Sequence, residues 1–132
     1  MDVLIDKLID AGKKSPSAGG LKDQRFTVVK DEEAKHQLME TSRGQRQVGE
    51  ASVIIVVSSD VDVVSGKYGD RGRDLYAAQD CAAATENILL AATALGLGAC
   101  WVGAFDENEV RKILNLPENH RPMVMIPVGY EK

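Results

Sequence analysis

The run Asp74 to Leu95, DLYAAQDCAAATENILLAATAL, constrains this chain more than any other stretch. Leu75, Ala78, Ala82, Thr85, Leu89 and Ala92 recur at helical spacing, and Ala77, Cys81, Ala84, Ile88, Ala91 and Leu95 form a second stripe beside them. A helix of about 22 residues with two such stripes has two faces to bury. One can cover the chain's own sheet. The other, built mostly from alanine, lets a second backbone approach closely. At 132 residues the chain is too short to wrap so long a helix on every side. The pattern therefore predicts a homodimer with this helix at its centre, and Ala84 and Ala91 are the expected contact positions.

The remaining elements can be placed around that helix. Val3, Leu4, Leu8 and Ile9 give an amphipathic helix from about Asp2 to Lys14, stopped by Ser15 and Pro16 because the residue before proline avoids the helical region. After the loop SPSAGGLKD, Arg25 to Val29 is β-branched and aromatic and reads as a strand. Asp31 caps a second helix to about Glu40, and the polar TSRGQRQVGE run from Thr41 to Glu50 reads as a loop. Ser52 to Val57 is a continuous β-branched run, the pattern of a strand covered on both faces and hence the centre of the sheet. Ser58 to Arg73 is polar and reads as a long loop or short helix, a length that in compact domains points to function. Ala99 to Gly103 is expected as a third strand, and Asp106 with Glu109 forms a capping box for a helix over Glu107 to Leu114. Met123 to Val128 is the last strand, with Pro127 implying an unpaired or bulged edge. The order is αβαβ, a long loop, then αβαβ, in a single domain over residues 1–132.

Several functional classes fall away at this stage. The net charge is −4 with scattered Lys and Arg, so no basic stripe offers a footprint for nucleic acid. No apolar run approaches the roughly 18 residues of a membrane span, and MDVLIDKLID carries acids where a signal peptide carries bases, so a cytoplasmic location is expected. Cys81 and Cys100 have no second ligand pair nearby, and both read as reduced core residues, with no metal site. His36 and His120 lie in no motif that would serve a serine or cysteine nucleophile. GLG at 96–98 ends a helix instead of opening one, so it is a helix stop and not a phosphate loop.

What remains are loops of small residues: SPSAGG, GQRQ and WVGAF. Their small side chains leave backbone N–H groups available to a flat, polar-edged ligand, although composition alone favours a plain turn for SPSAGG.

Three stretches carry a family resemblance: SPSAGGLKDQRFTVV at 15–29, KYGDRGRDLYAAQDCAAATENILLAATALGLGACWVGAFDENEVRKIL at 67–114, and IPVGY at 126–130. Together they resemble the flavin-dependent nitroreductase superfamily, and especially its azoline-dehydrogenase branch. The resemblance implies an α/β (α+β) fold, with a mixed, mainly antiparallel sheet flanked by helices, and a homodimer in which FMN lies at the subunit interface and passes a hydride from a nicotinamide donor to a small acceptor. Position by position, it implies that Pro16, Ser17, Ala18 and Gly19 lie against the flavin. Gln45 and Gln47 would reach the ribityl chain or ring edge. Trp101, Val102, Gly103 and Ala104 would pack along the isoalloxazine, with an N–H near Gly103 facing N5. Lys67 and Tyr68 match a Lys-Tyr pair that assists proton removal in the azoline branch, or else they brace the loop ahead of the central helix.

The chain departs from the family pattern at Gly20, where many members have asparagine, and at Lys22, Asp23 and Gln24, where they have a Gln-Pro-Trp-like run. It also reads as a short form, without the arginine- and serine-bearing N-terminal segment and the basic C-terminal extension of a typical member. Weak FMN binding is the expected consequence. The alternative is a flavin-free binding or regulatory dimer on the same scaffold.

Overall fold

A computed structural model describes residues 1–130. The elements are α1 (Asp2–Lys13), β1 (Gln24–Val29), α2 (Glu32–Thr41), α3 (Arg46–Glu50), β2 (Val53–Asp60), α4 (Val61–Arg71), α5 (Ala77–Ala94), β3 (Leu97–Ala99), α6 (Glu107–Leu114) and β4 (His120–Tyr130). The four strands pair in the order β1-β2-β4-β3. Each described pairing is antiparallel, as expected of a mainly antiparallel sheet.

The sheet is the middle of three layers because its central strand alternates between two apolar faces. Val53, Ile55 and Val57 of β2, with Val124, Ile126 and Val128 of β4, meet Ile5 and Leu8 of α1 and Cys81, Ala84, Ile88 and Ala92 of α5. Ile54, Val56 and Met125 point the other way, to Leu38 of α2, Val48 of α3 and Val110 of α6. With β2 buried from Val53 to Ser59, the expectation of a strand covered on both faces holds.

Several expected boundaries held. Asp31 caps α2 through its Ala34 N–H bond, and Asp106 caps α6 through the N–H groups of Asn108 and Glu109. Glu109 turns to Lys112 instead of closing a reciprocal capping box. Gly96 ends α5 at φ 75°, a left-handed geometry suited to glycine.

Four expectations are corrected. Ser58 to Arg73 is not a long loop: β2 continues to Asp60, whose carboxylate caps α4 at Asp62 N–H. Val61 and Val64 then seat that helix on a small core with Ala77. A widened turn over Gly72–Tyr76 leads from α4 straight into α5, so two helices meet at the Gly69 kink, where φ is 61° and ψ −141°. The polar segment before β2 is also partly helical, as α3. The third strand covers Leu97–Ala99 and not 99–103; only an isolated bridge between Val102 and Met125 follows it. Finally, Pro127 lies in a strand paired on both sides, opposite Ile54, while its own carbonyl accepts from Cys100 N–H just beyond the end of β3. The irregularity of β4 lies elsewhere, where Val57 pairs Val124 but Ser58 pairs Pro122.

The long helix has one core face and one outer face. Ala77, Cys81, Ala84, Ile88 and Ala92 are buried within the chain, so Ala84 is corrected from a subunit contact to a core residue. Ala91 is half-buried against the same core. Leu90 is 63% exposed on the opposite side, on the same helical face as Ala83 and Glu86. Among the described residues no helix is long and apolar enough to cross a membrane.

Candidate functional site

The SPSAGG loop is tied down from several sides. Pro16 ends α1, and the chain turns through a short 3-10 segment over Ala18–Gly20. Ala18 N–H donates to both carboxylate oxygens of Asp80 on α5, at 3.0 and 3.1 Å. The Gln24 side-chain amide donates to Ser15 Oγ, to the Pro16 carbonyl and to the Asp80 carbonyl. Lys22 N–H donates to Ser17 Oγ at 2.9 Å. The loop is therefore a built feature and not a plain surface turn. Its N–H groups are mostly spent internally, since Gly20 donates to Ser17 O and Leu21 to Ala18 O; the expectation of freely available N–H groups applies to Ser17 and Gly19 only among the described bonds of this loop.

Gly19 sits where any side chain would be strained. Its φ is +58°, and a Cβ would stand 2.6 Å from Tyr68 Oη and 3.2 Å from Lys67 Nζ. Both polar tips thus converge on the loop from α4. Lys67 and Tyr68 are helical residues, not loop residues as the sequence suggested. Tyr68 stacks edge-on against Tyr76, whose hydroxyl accepts from Arg71 Nε. Above Gly20 the space is open.

A second group lies beyond the far edge of the sheet. Gln45 is the residue before α3, and its Oε1 accepts from Gln47 Nε2 at 2.9 Å. Gln47 lines a groove of about 290 Å³ with Ala99, Cys100 and Pro127. Trp101 is 43% exposed. Gly103 and Ala104 line a neighbouring hollow of about 390 Å³ with Thr41, Arg43, Phe105 and Asp106, and among the described residues their N–H groups have no partner. Val102 differs from its neighbours. Its side chain is buried in the α2/α6 core, and its backbone exchanges two 2.9 Å bonds with Met125. It anchors Gly103 and does not itself present a surface to a ring.

The two groups do not meet within one chain. Pro16–Gly19 precede the edge strand β1, packing toward α4 and α5, whereas Gln47 and Trp101–Ala104 gather around the opposite edge strand β3.

Residues 40–130 match the nitroreductase family. A protein of Archaeoglobus fulgidus, provisionally named NADH dehydrogenase/NAD(P)H nitroreductase, is 36% identical over 97% of this chain and 72% of its own length. The chain belongs to the nitroreductase family. A relative of the same provisional name from Methanothermobacter thermautotrophicus is 35% identical, and this chain spans 65% of its length. Among solved structures, a Parabacteroides distasonis protein with that name superposes with a TM-score of 0.87 at 35% identity, over 100% of this chain and 77% of that one. A nitroreductase-like protein from Streptococcus mutans shares the fold at 17% identity, with a TM-score of 0.88.

This nitroreductase-family chain also holds a polar core that sequence reasoning missed. Asp23 is fully buried and accepts from Ser59 Oγ at 2.6 Å, and Asp80 and Gln24 are buried beside it. Burial first, then a hydrogen bond and repulsion from Asp23, push the Asp80 carboxyl up to about 7. The Cys81 thiol is pushed above its usual range by burial and by the two nearby carboxylates. The available signal was Asp80 itself, a carboxylate one position from the core stripe of an alanine-rich helix.

Proposed function

We propose that this chain forms an FMN-dependent oxidoreductase that acts as a cytoplasmic homodimer and moves a hydride between a nicotinamide donor and a small acceptor. The supporting observation is the Gly19 cradle. A side-chain-free, left-handed residue follows Ala18, whose N–H a buried acid holds, and is approached by Lys67 and Tyr68, with open space over Gly20. That arrangement suits a flat ring laid on backbone. The names of the relatives, which mention NADH and NAD(P)H, support a nicotinamide donor.

Pro16, Ser17, Ala18 and Gly19 would support one part of the ring. The exposed N–H groups of Gly103 and Ala104 and the indole of Trp101 would face another, and Gln45 and Gln47 would reach its polar edge or side chain. FMN, when bound, supplies the hydride-accepting N5 position, so no nucleophile or metal is required of the protein. Lys67 Nζ and Tyr68 Oη are the groups at the loop able to hold or deliver a proton.

Titration of the purified chain with FMN, followed by absorbance and fluorescence quenching, tests the reading. Saturable uptake, then bleaching of the yellow colour by NADH or NADPH, is expected. A colourless protein that quenches no added flavin would refute it and leave the flavin-free dimer.

A further inference from the structure

α2 buries two residues, Lys35 and Leu38, three apart and so on one helical face. Leu38 belongs to the apolar core that α2 shares with β2. Lys35 is 2% exposed, a position where an ammonium is costly unless its protons are met. They are met. Nζ donates to the Ala51 carbonyl at 2.7 Å and, at a longer 3.4 Å, to the Ser52 carbonyl. It also pairs at 2.8 Å with Oε1 of Glu32, an exposed side chain. The three N–H donors of the ammonium thus have three acceptors.

The two carbonyls lie at the junction of α3 and β2. α3 has only five residues, and Gln45 before it makes no side-chain cap. A helix so short does not hold its shape alone. Contacts from α2 supply the support. Val48 is buried in one core with Leu38. Gly49 backs onto Met39 so closely that a Cβ would stand 2.8 Å from its Sδ. Lys35 holds Ala51, the residue that closes α3, and a cation at that end also suits the helix dipole. Ala51 lines the groove of about 290 Å³ together with Gln47, and Gln47 is hydrogen-bonded to Gln45. The buried ammonium therefore grips a residue of the groove wall.

We propose that Lys35 is a positioning residue: by holding the Ala51 and Ser52 carbonyls it fixes α3 against α2 and the sheet, and so fixes where Gln45 and Gln47 present their amides to a ligand. Lys35 acts through α3 and is no part of the groove wall itself. The link to ligand binding rests on the reading that Gln45 and Gln47 meet a flavin.

The experiment compares the parent chain with Lys35→Met, which keeps an unbranched stem and removes every donor, and with Lys35→Arg, which keeps the charge and donors. Amide hydrogen exchange and the side-chain amide NMR signals of Gln45 and Gln47 report on α3, and riboflavin titration by fluorescence quenching reports on the site. In Lys35→Met the α3 amides should exchange at least about tenfold faster, the loss expected for one hydrogen bond from a charged group. Val48 is the marker, since its N–H donates to Gln45 O at 3.1 Å in the parent. Amides of β4 should hardly change. Riboflavin should bind about tenfold more weakly for the same reason, and Lys35→Arg should recover most of both effects. Unchanged α3 exchange in Lys35→Met, or exchange raised equally in α3 and β4 as by a general loss of stability, overturns the proposal. So does undiminished affinity for a riboflavin that shifts the Gln45 and Gln47 signals. Faster α3 exchange, with those signals untouched by riboflavin in the parent chain, upholds the clamp and instead refutes the contact of flavin with α3. If Lys35→Met does not fold, acetylation of Lys35 in the parent chain decides. Its rate should rise with denaturant in step with Val48 exchange and ahead of global unfolding, and a separate dependence overturns the proposal.

Discussion

Leu90→Glu is the sharpest test of the proposed dimer. Leu90 is 63% exposed on the outer face of α5, so within one chain the change should cost less than about 0.5 kcal/mol, the range of ordinary surface substitutions. If that face is covered by a second copy, the remaining exposed part of each leucine contributes about 1–2 kcal/mol. Two-fold symmetry doubles the loss. Two buried carboxylates without cations add several kcal/mol more, and Glu86 on the same exposed face adds repulsion. A total of at least about 4 kcal/mol raises the dimer dissociation constant by about three decades. Light scattering across micromolar concentrations should show the dimer mass for the parent chain and the monomer mass for the variant, with unchanged helical circular dichroism. An unchanged mass in Leu90→Glu, or a monomeric parent chain, would refute the assignment of this face. Ala84→Glu should behave differently and lose the fold altogether, because Ala84 is sealed in the core beneath β2 and β4.

Gly19→Ala should lower stability by about 1–3 kcal/mol, since the residue is left-handed and its Cβ would strike Tyr68 Oη; flavin affinity should fall with it, and a variant with unchanged melting and binding would contradict the cradle. A thiol reagent should label Cys100 in the folded chain and Cys81 only after denaturation, because one is exposed and the other is buried with its thiol held neutral; mass spectrometry of the labelled peptides would expose the error if Cys81 reacted first.

Where side-chain period and burial agreed, the fold was legible. β2 is apolar at every position from Val53 to Val57 because both its faces are covered, and the Asp31 and Asp106 caps announced their helices one residue ahead. α4 was legible only as an alternative to a long loop because its apolar positions are few. Val61, Val64 and Tyr68 do keep helical spacing, but Gly66, Gly69 and three aspartates around them read as loop. The core face of α5 was drawn correctly as a stripe, yet a stripe of alanines cannot say whether it meets a sheet or a partner; α1 and the sheet claimed it. Of the site, the glycines and the Lys67–Tyr68 pair were visible as residue types, while their convergence depends on the kink at Gly69 and the turn after α1, which no local pattern encodes. Asp23 and Asp80 are separated by 57 positions and carry no motif.

The position of the two groups in the sheet bears on how a complete site could form. Pro16–Gly19 lead into β1 and Trp101–Ala104 follow β3, with β2 and β4 between those edges. Three strand spacings make roughly 14 Å, and a sheet buried on both sides leaves no path for a ring through its middle. A single flavin therefore cannot rest on Gly19 and on Gly103 of the same chain in the arrangement described. It can do so only if Gly19 of one copy is brought to Gly103 of another, an exchange that a two-fold dimer would make twice. On this reading dimerisation and flavin binding are linked. Leu90→Glu should then weaken flavin uptake as well as the dimer, although Leu90 touches neither group, and a monomeric variant that binds flavin as tightly as the parent would show that one chain completes the site alone.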